Sequence, residues 1–257
     1  MPETPPPLLP PPAEVLGVRR IRLAEVPAPR LTAEERRARD DAWAQMVLAN
    51  PALFDGPVVA CSGTSWPRPG ELHIAWSRVT YRHYALRRVT TSAAPTASLS
   101  VSVLQPTEDG RLLVGRMSPA TAAPGRWQTA GGAVEPPPDG ERLDLAALRR
   151  NALRELAEET GVSAGPGELT LWAVTRGRYG SVGVLFLAPP LPEAVLRERF
   201  AVLAPPEREL VELAFVRSPA DLPGLPGPHA DYLAPLVRRF ARERERGRER
   251  AQGPEQR

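Results

Sequence analysis

Apolar and polar positions change period several times along the chain. Over residues 32–48 the apolar side chains Trp43, Met46 and Val47 fall at helical spacing. Thr32 and Glu35 form a capping box at one end, and Asn50-Pro51 stops the helix at the other. Apolar runs at 18–26, 58–62 and 71–79 predict strands around it, with a Pro/Gly loop after the second. Further on, strands are predicted at 99–104 and 111–116, joined by the turn Glu108-Asp109-Gly110. A short strand and a glycine turn lie within 125–135, and a helix runs from about 144 to 160. Strands follow near 169–175 and 182–188, then a short helix at 192–200 and a strand at 209–216. A basic final helix covers 231–248, with Pro235 tolerated near its start. Mixed strands with a helix between them, then more strands and a helix, suit an α/β fold of the α/β/α sandwich type with a mixed sheet.

These elements divide the chain into a Pro-rich tail (1–16, expected to be disordered), a small α+β N-terminal lobe (17–96), a larger α/β domain (97–248) that includes the last helix, and a second disordered tail (249–257). Hydrophobic residues make up 42% and aromatics only 5%, so the core is built mostly from Leu, Val and Ala. The net charge is +3, and all 33 basic residues are Arg. With 32 Pro this reads as the codon bias of a GC-rich bacterial genome and not as a nucleic-acid footprint. In the Arg-rich segment 238–250, Glu243, Glu245 and Glu249 offset part of the charge, which points to an ion-pair-laced helix. Cys61 is the only cysteine and sits in an apolar run, so a core thiol in a reducing cytoplasm is expected. No stretch is long and apolar enough for a membrane helix, and no secretory signal is evident at the start.

The run Arg154-Glu155-Leu156-Ala157-Glu158-Glu159-Thr160-Gly161-Val162 carries the candidate chemistry. On a helix its three carboxylates, at i, i+3 and i+4, share one face. Their repulsion is relieved by a hard divalent cation such as Mg²⁺, which takes a few carboxylates plus water and phosphate oxygens. A plain solvated helix face is the alternative reading. Upstream lie the strand at 111–116 and Gly125-Arg-Trp-Gln-Thr-Ala-Gly-Gly-Ala-Val-Glu135. Taken in order, these segments resemble the Nudix hydrolase family, whose signature is Gly, five residues, Glu, seven residues, then Arg-Glu-apolar-x-Glu-Glu-x-Gly-apolar. Arg154 to Val162 match its second half residue for residue. The first half departs from it. Gly132 lies 22 positions before Arg154 where the signature has 14, and Ala146 stands where its first Glu would be. Glu141 is the leading stand-in, with Glu135 and Asp144 behind it, and Ala130 occupies a position where the family commonly has Pro.

The resemblance implies a pyrophosphohydrolase that uses Mg²⁺, with Mn²⁺ as a substitute. It implies Glu155, Glu158 and Glu159 as metal ligands, with Glu155 or Glu159 also acting on water, Arg154 orienting a catalytic Glu, and a turn carbonyl near Gly132 joining the metal. A further Glu from a later loop or strand is expected, from among Glu207, Glu209 and Glu212. Arg176 and Arg178, in a donor-rich loop, are expected to meet substrate phosphates, with Tyr81 and Glu141 also on the substrate side. Trp127 reads as core. The turn Leu53-Phe54-Asp55-Gly56-Pro57 and the segment Thr80-Tyr81-Arg82 are similar to the N-terminal lobe of UDP-glucose/UDP-galactose diphosphatases within that family. The expected partner is therefore a small nucleotide, a UDP-sugar ahead of ADP-ribose, coenzyme A or a (d)NTP, in a cytoplasmic protein. Neither membrane nor nucleic acid is expected as a partner, and a homodimer is compatible with this reading. A binding or regulatory module that has lost turnover is the competing interpretation.

Overall fold

The computed structural model describes residues 13–89, 96–203 and 209–252. The chain runs β1 (Glu14–Leu16), β2 (Arg20–Glu25), α1 (Ala33–Ala49), β3 (Pro57–Arg68), β4 (Glu71–Thr80), a 3₁₀ segment (Tyr81–Arg88), β5 (Leu99–Leu104), β6 (Leu112–Met117), β7 (Trp127–Gln128), β8 (Ala130–Ala133), α2 (Leu145–Thr160), β9 (Thr170–Arg176), β10 (Val182–Leu187), α3 (Glu193–Ala201), β11 (Leu210–Val216) and α4 (Leu233–Gln252).

The central sheet has the order β1-β9-β10-β5-β8. Its β10–β5 pair is parallel and the other pairs are antiparallel, so the sheet is mixed. Successive side chains on β10 point to opposite faces. Val184 and Phe186 join a cluster with Leu148, Ala152 and Leu156 of α2 and Leu196 of α3. Leu185 joins a second cluster with Leu236, Val237 and Phe240 of α4. Covered on both faces, β10 reads as a continuous apolar run. This is the expected α/β/α sandwich. A second sheet, β11-β6-β7, is antiparallel and leads into the glycine turn. The third sheet, β2-β4-β3, contributes Ile21, Val59, Leu72, Ile74 and Trp76 to the same cluster as α2. The Val59 N–H donates to Val134 O (2.9 Å) and the Cys61 N–H to Ala97 O (2.9 Å), tying β3 to the core. Cys61 is buried, as its apolar run implied.

Some elements differ from the sequence reading. Glu14–Leu16, placed there in the disordered tail, form a strand paired with β9. The last proline of the lead is Pro12, so from Ala13 every residue has an N–H to give a ladder. Residues 1–12 and 253–257 lie outside the described residues, while α4 continues past 248 to Gln252. β3 runs through the predicted Pro/Gly loop to Arg68, because an edge strand tolerates Pro67 and its register shifts between Ser65 and Arg68. Helix α1 is capped as predicted by Thr32 and Glu35, yet buries no residue. It meets the 3₁₀ segment through Trp43, whose ring lies edge-on to Tyr81 at 6.2 Å. No helix among the described residues is long and apolar enough to cross a membrane.

Phe186 is fully buried in the cluster that joins the central sheet to α2. Phe186→Ala is expected to cost about 3–5 kcal/mol in urea unfolding. A loss below about 1 kcal/mol would contradict this packing.

Candidate active site

Helix α2 starts where the Asp144 carboxylate accepts the Ala147 N–H (2.7 Å), and it ends at Gly161, whose φ of 72° is left-handed. Leu148, Ala152 and Leu156 bury one face. The same rotation carries Glu159 inward, to 2% exposure. There it meets the glycine turn of β8. The Gly131 N–H donates to Glu159 Oε2 at 2.6 Å. Gly131 has φ 151°, and a Cβ on it would lie 2.2 Å from Val101 O, so only glycine fits. A Cβ on Gly132 would lie 2.6 Å from Glu155 Oε2, so the second glycine makes room for the second carboxylate.

The electrostatics follow from this burial. Desolvation pushes the Glu155 carboxyl up to about 7, with Arg154 opposing and Glu209 and Glu158 reinforcing. Glu159 is pushed well above the usual carboxylate range by burial, against the Gly131 N–H, and further by Glu155, Glu209 and Glu158. Glu209 is also raised, by desolvation of its carboxyl and then by Glu158, although the residue as a whole is exposed. The four carboxylates thus act on one another. Glu212 faces away to pair with Arg116 (2.9 Å), and Glu207 lies outside the described residues.

Arg154 is a hub. It bonds Glu135 through two nitrogens (3.1 and 3.2 Å) and Glu155 at 3.2 Å, and approaches Glu158 at 3.7 Å. The upstream acid next to the catalytic helix is therefore Glu135, three residues after Gly132, and not Glu141. Glu141 lies beyond the proline loop and lines a separate cleft with Ile21, His73 and Trp76. The loop's extra residues carry it away.

The other predicted contacts divide. Arg176 is held by Glu14 at 2.5 Å, on a strand three spacings, about 14 Å, from β8. The Arg178 side chain lies over the Tyr179 ring (6.0 Å) and its N–H faces Asp231. Neither meets the carboxylates. Tyr81 packs edge-on to Trp43 and Tyr84, and its phenol is raised by burial, with Arg87 and then Arg126 opposing. The two segments behind the UDP-sugar resemblance meet each other. Asp55 takes the Arg82 N–H (2.9 Å) and the guanidinium (3.0 Å), and Gly56 O takes the Tyr81 N–H (2.9 Å). Trp127 is core, as expected, and its ring N–H bonds Pro226 O.

Glu159 Oε1 is buried and has no hydrogen-bond partner. A partnerless carboxylate oxygen, beside carboxyls raised first by burial and then by one another, fits a divalent cation. Glu155, Glu159 and Glu158 would hold it, the last being 62% exposed and free to turn. Among the described residues no three acidic, His or Cys side chains already converge as a metal group, so binding would draw the carboxylates together.

An α/β/α sandwich with desolvated carboxylates under a glycine turn is the setting in which the family match is read. A NUDIX domain model matches residues 96–240, more than half of the chain, and the chain belongs to the Nudix family of pyrophosphohydrolases. Such enzymes generally use a divalent metal and act on compounds linked through a nucleoside diphosphate. Among solved structures, the chain is similar to the MutT protein from Methanosarcina mazei Go1 (23% identity, 58% of this chain and 96% of that one, TM-score 0.38). It is also similar to NrtR from Shewanella oneidensis (23%, 59% and 64%, TM-score 0.40), which has another structure in complex with a 27mer DNA. A third is the Nudix hydrolase RenU from M. Smegmatis (20%, 63% and 89%, TM-score 0.32). No curated protein matches.

Two glycine variants separate scaffold from chemistry. Gly131→Ala forces a side chain onto backbone and is expected to lose about 1–3 kcal/mol of stability. Gly132→Ala pushes only on the Glu155 carboxylate and should keep its melting temperature while losing on the order of a hundredfold in kcat. Equal melting temperatures for the two variants would contradict this assignment.

The raised carboxyls also set a pH dependence. The folded, metal-free chain binds these protons more tightly than the unfolded chain. That contribution to stability is complete below the ordinary glutamate range and is lost as pH rises through about 7 for Glu155. In EDTA, Tm should fall between about pH 5 and about pH 8, and Mg²⁺ should restore more of it at the upper end. A Mg²⁺ effect independent of pH would overturn the expectation.

Proposed function

We propose that this protein hydrolyses the diphosphate bond of a nucleoside diphosphate linked to a second moiety, with Mg²⁺ or Mn²⁺, and that a UDP-sugar is the leading substrate. Residues 17–96 serve as the substrate-side lobe and 97–248 as the catalytic domain. The observation that carries the reading is the buried, partnerless Glu159 Oε1 beside Glu155. The cation, when bound, neutralises phosphate charge and makes water more acidic. Glu155, held by Arg154 against the Gly132 turn, accepts the proton of the attacking water. Arg154 holds Glu155 in place while Glu135 anchors Arg154. The water oxygen bonds to one phosphorus as the bridging P–O bond breaks. The bridging oxygen leaves with the other phosphoryl group, giving UMP and sugar 1-phosphate from a UDP-sugar. Support for uridine sugars comes from the resemblance of residues 53–57 and 80–82 to the UDP-sugar branch, and the two segments meet each other in the lobe.

Separate incubations with UDP-glucose, ADP-ribose, coenzyme A and dGTP, resolved by chromatography, test the substrate. UMP should appear fastest. A preference for another substrate would remove the UDP-sugar assignment and leave the hydrolase. Glu159→Gln keeps the bond from Gly131 but withdraws the charge, and should lower kcat by about a hundredfold or more. Wild-type turnover in this variant, or in excess EDTA, would remove the metal-dependent reading. Retained nucleotide binding by a wild-type protein that turns over none of the four would point to the regulatory module instead.

A further inference from the structure

We propose that Arg126 is the diphosphate-binding arginine of this site and that Gln128 presents it. The proposal rests on the reading of the substrate as a nucleoside-diphosphate compound. It replaces Arg176 and Arg178, which are engaged elsewhere.

Three observations carry it. Arg126 and Glu209 flank the same end of β6: the Met117 N–H donates to Arg126 O (2.9 Å) and the next residue, Ser118, donates to Glu209 O (2.7 Å). Two strand spacings, about 9–10 Å, separate them. The second observation concerns partners. Arg154 has Glu135 and Arg82 has Asp55 as carboxylate partners. Among the described residues no carboxylate forms an ion pair with Arg126. Its Nε and Nη2 donate instead to Gln128 Oε1 (3.2 and 2.6 Å). A neutral amide fixes the guanidinium without cancelling its charge, and the Nη1 edge stays available for anionic oxygens. The third is the scaffold. Gln128 is buried on β7, and two residues along a strand point to the same face, so Arg126 is aimed by a rigid element. Two residues beyond Gln128 begins the β8 turn that holds Glu159.

Isothermal titration of the full-length protein with UDP and with ADP, each with Mg²⁺, tests this. Arg126→Ala should weaken both by about ten- to a hundredfold, and Arg126→Lys by less, since a point charge lacks the fork. Gln128→Glu is the discriminating variant. It places a carboxylate against an unchanged Arg126, so a structural arginine would be held at least as well. A binding arginine would be neutralised, and affinity should fall about tenfold or more with Tm maintained. Unchanged affinity in both Arg126→Ala and Gln128→Glu, or a wild-type protein that binds neither nucleotide, overturns the proposal. If Arg126→Ala does not fold, Gln128→Glu and Arg126→Lys decide. Weakened binding in a protein that hydrolyses no substrate would sink the hydrolase reading and leave this one standing. Turnover with unchanged affinities would do the reverse.

Discussion

The hydrogen bond from the Gly131 amide to Glu159 is the contact on which the site depends. It spans 28 residues and joins β8 to the last turn of α2. Burying a carboxylate with one oxygen unpartnered costs several kcal/mol unless a charge or a proton compensates it. One backbone donor is not enough, so the metal-free carboxyl is pushed toward its neutral form. The strain is therefore electrostatic, and a cation relieves it. Gly131 and Gly132 serve this arrangement differently: the first brings backbone against β5, and the second leaves space for Glu155.

The rest of the architecture holds those two segments in place. The mixed sheet fixes β8 beside β5, and α2 lies over them with Leu148, Ala152 and Leu156 in the core. On the opposite face α4 completes the sandwich through Leu236, Val237 and Phe240. The β2-β4-β3 sheet shares the same core and leads into the 3₁₀ segment that carries Tyr81. β11 and β7 border β6 on either side. Separate strands thus bring Glu209 and Arg126 to one edge, whereas one helix supplies most of the charge.

The sequence by itself determined the elements and the catalytic helix. Period-2 and period-3.6 patterns and the Thr32–Glu35 box are local, and local signals survive folding. Glu155, Glu158 and Glu159 were legible for the same reason: one helical turn sets their common face. Tertiary structure alone decided what pairs with what. Glu135 and not Glu141 meets Arg154, because a proline loop's path is not encoded by residue count. Glu209 and not Glu212 acts on the helix carboxylates because of strand register, in which neighbouring positions face opposite ways and a shift between Leu210 and Glu212 re-aims the pair. Arg176 was lost to Glu14 because β1, short and next to the proline lead, forms only by pairing with β9. Arg126 gave no signal beyond standing next to Trp127. Its significance lies in the Gln128 amide that holds it and in the lack of a carboxylate partner among the described residues, and both appear only in the folded structure.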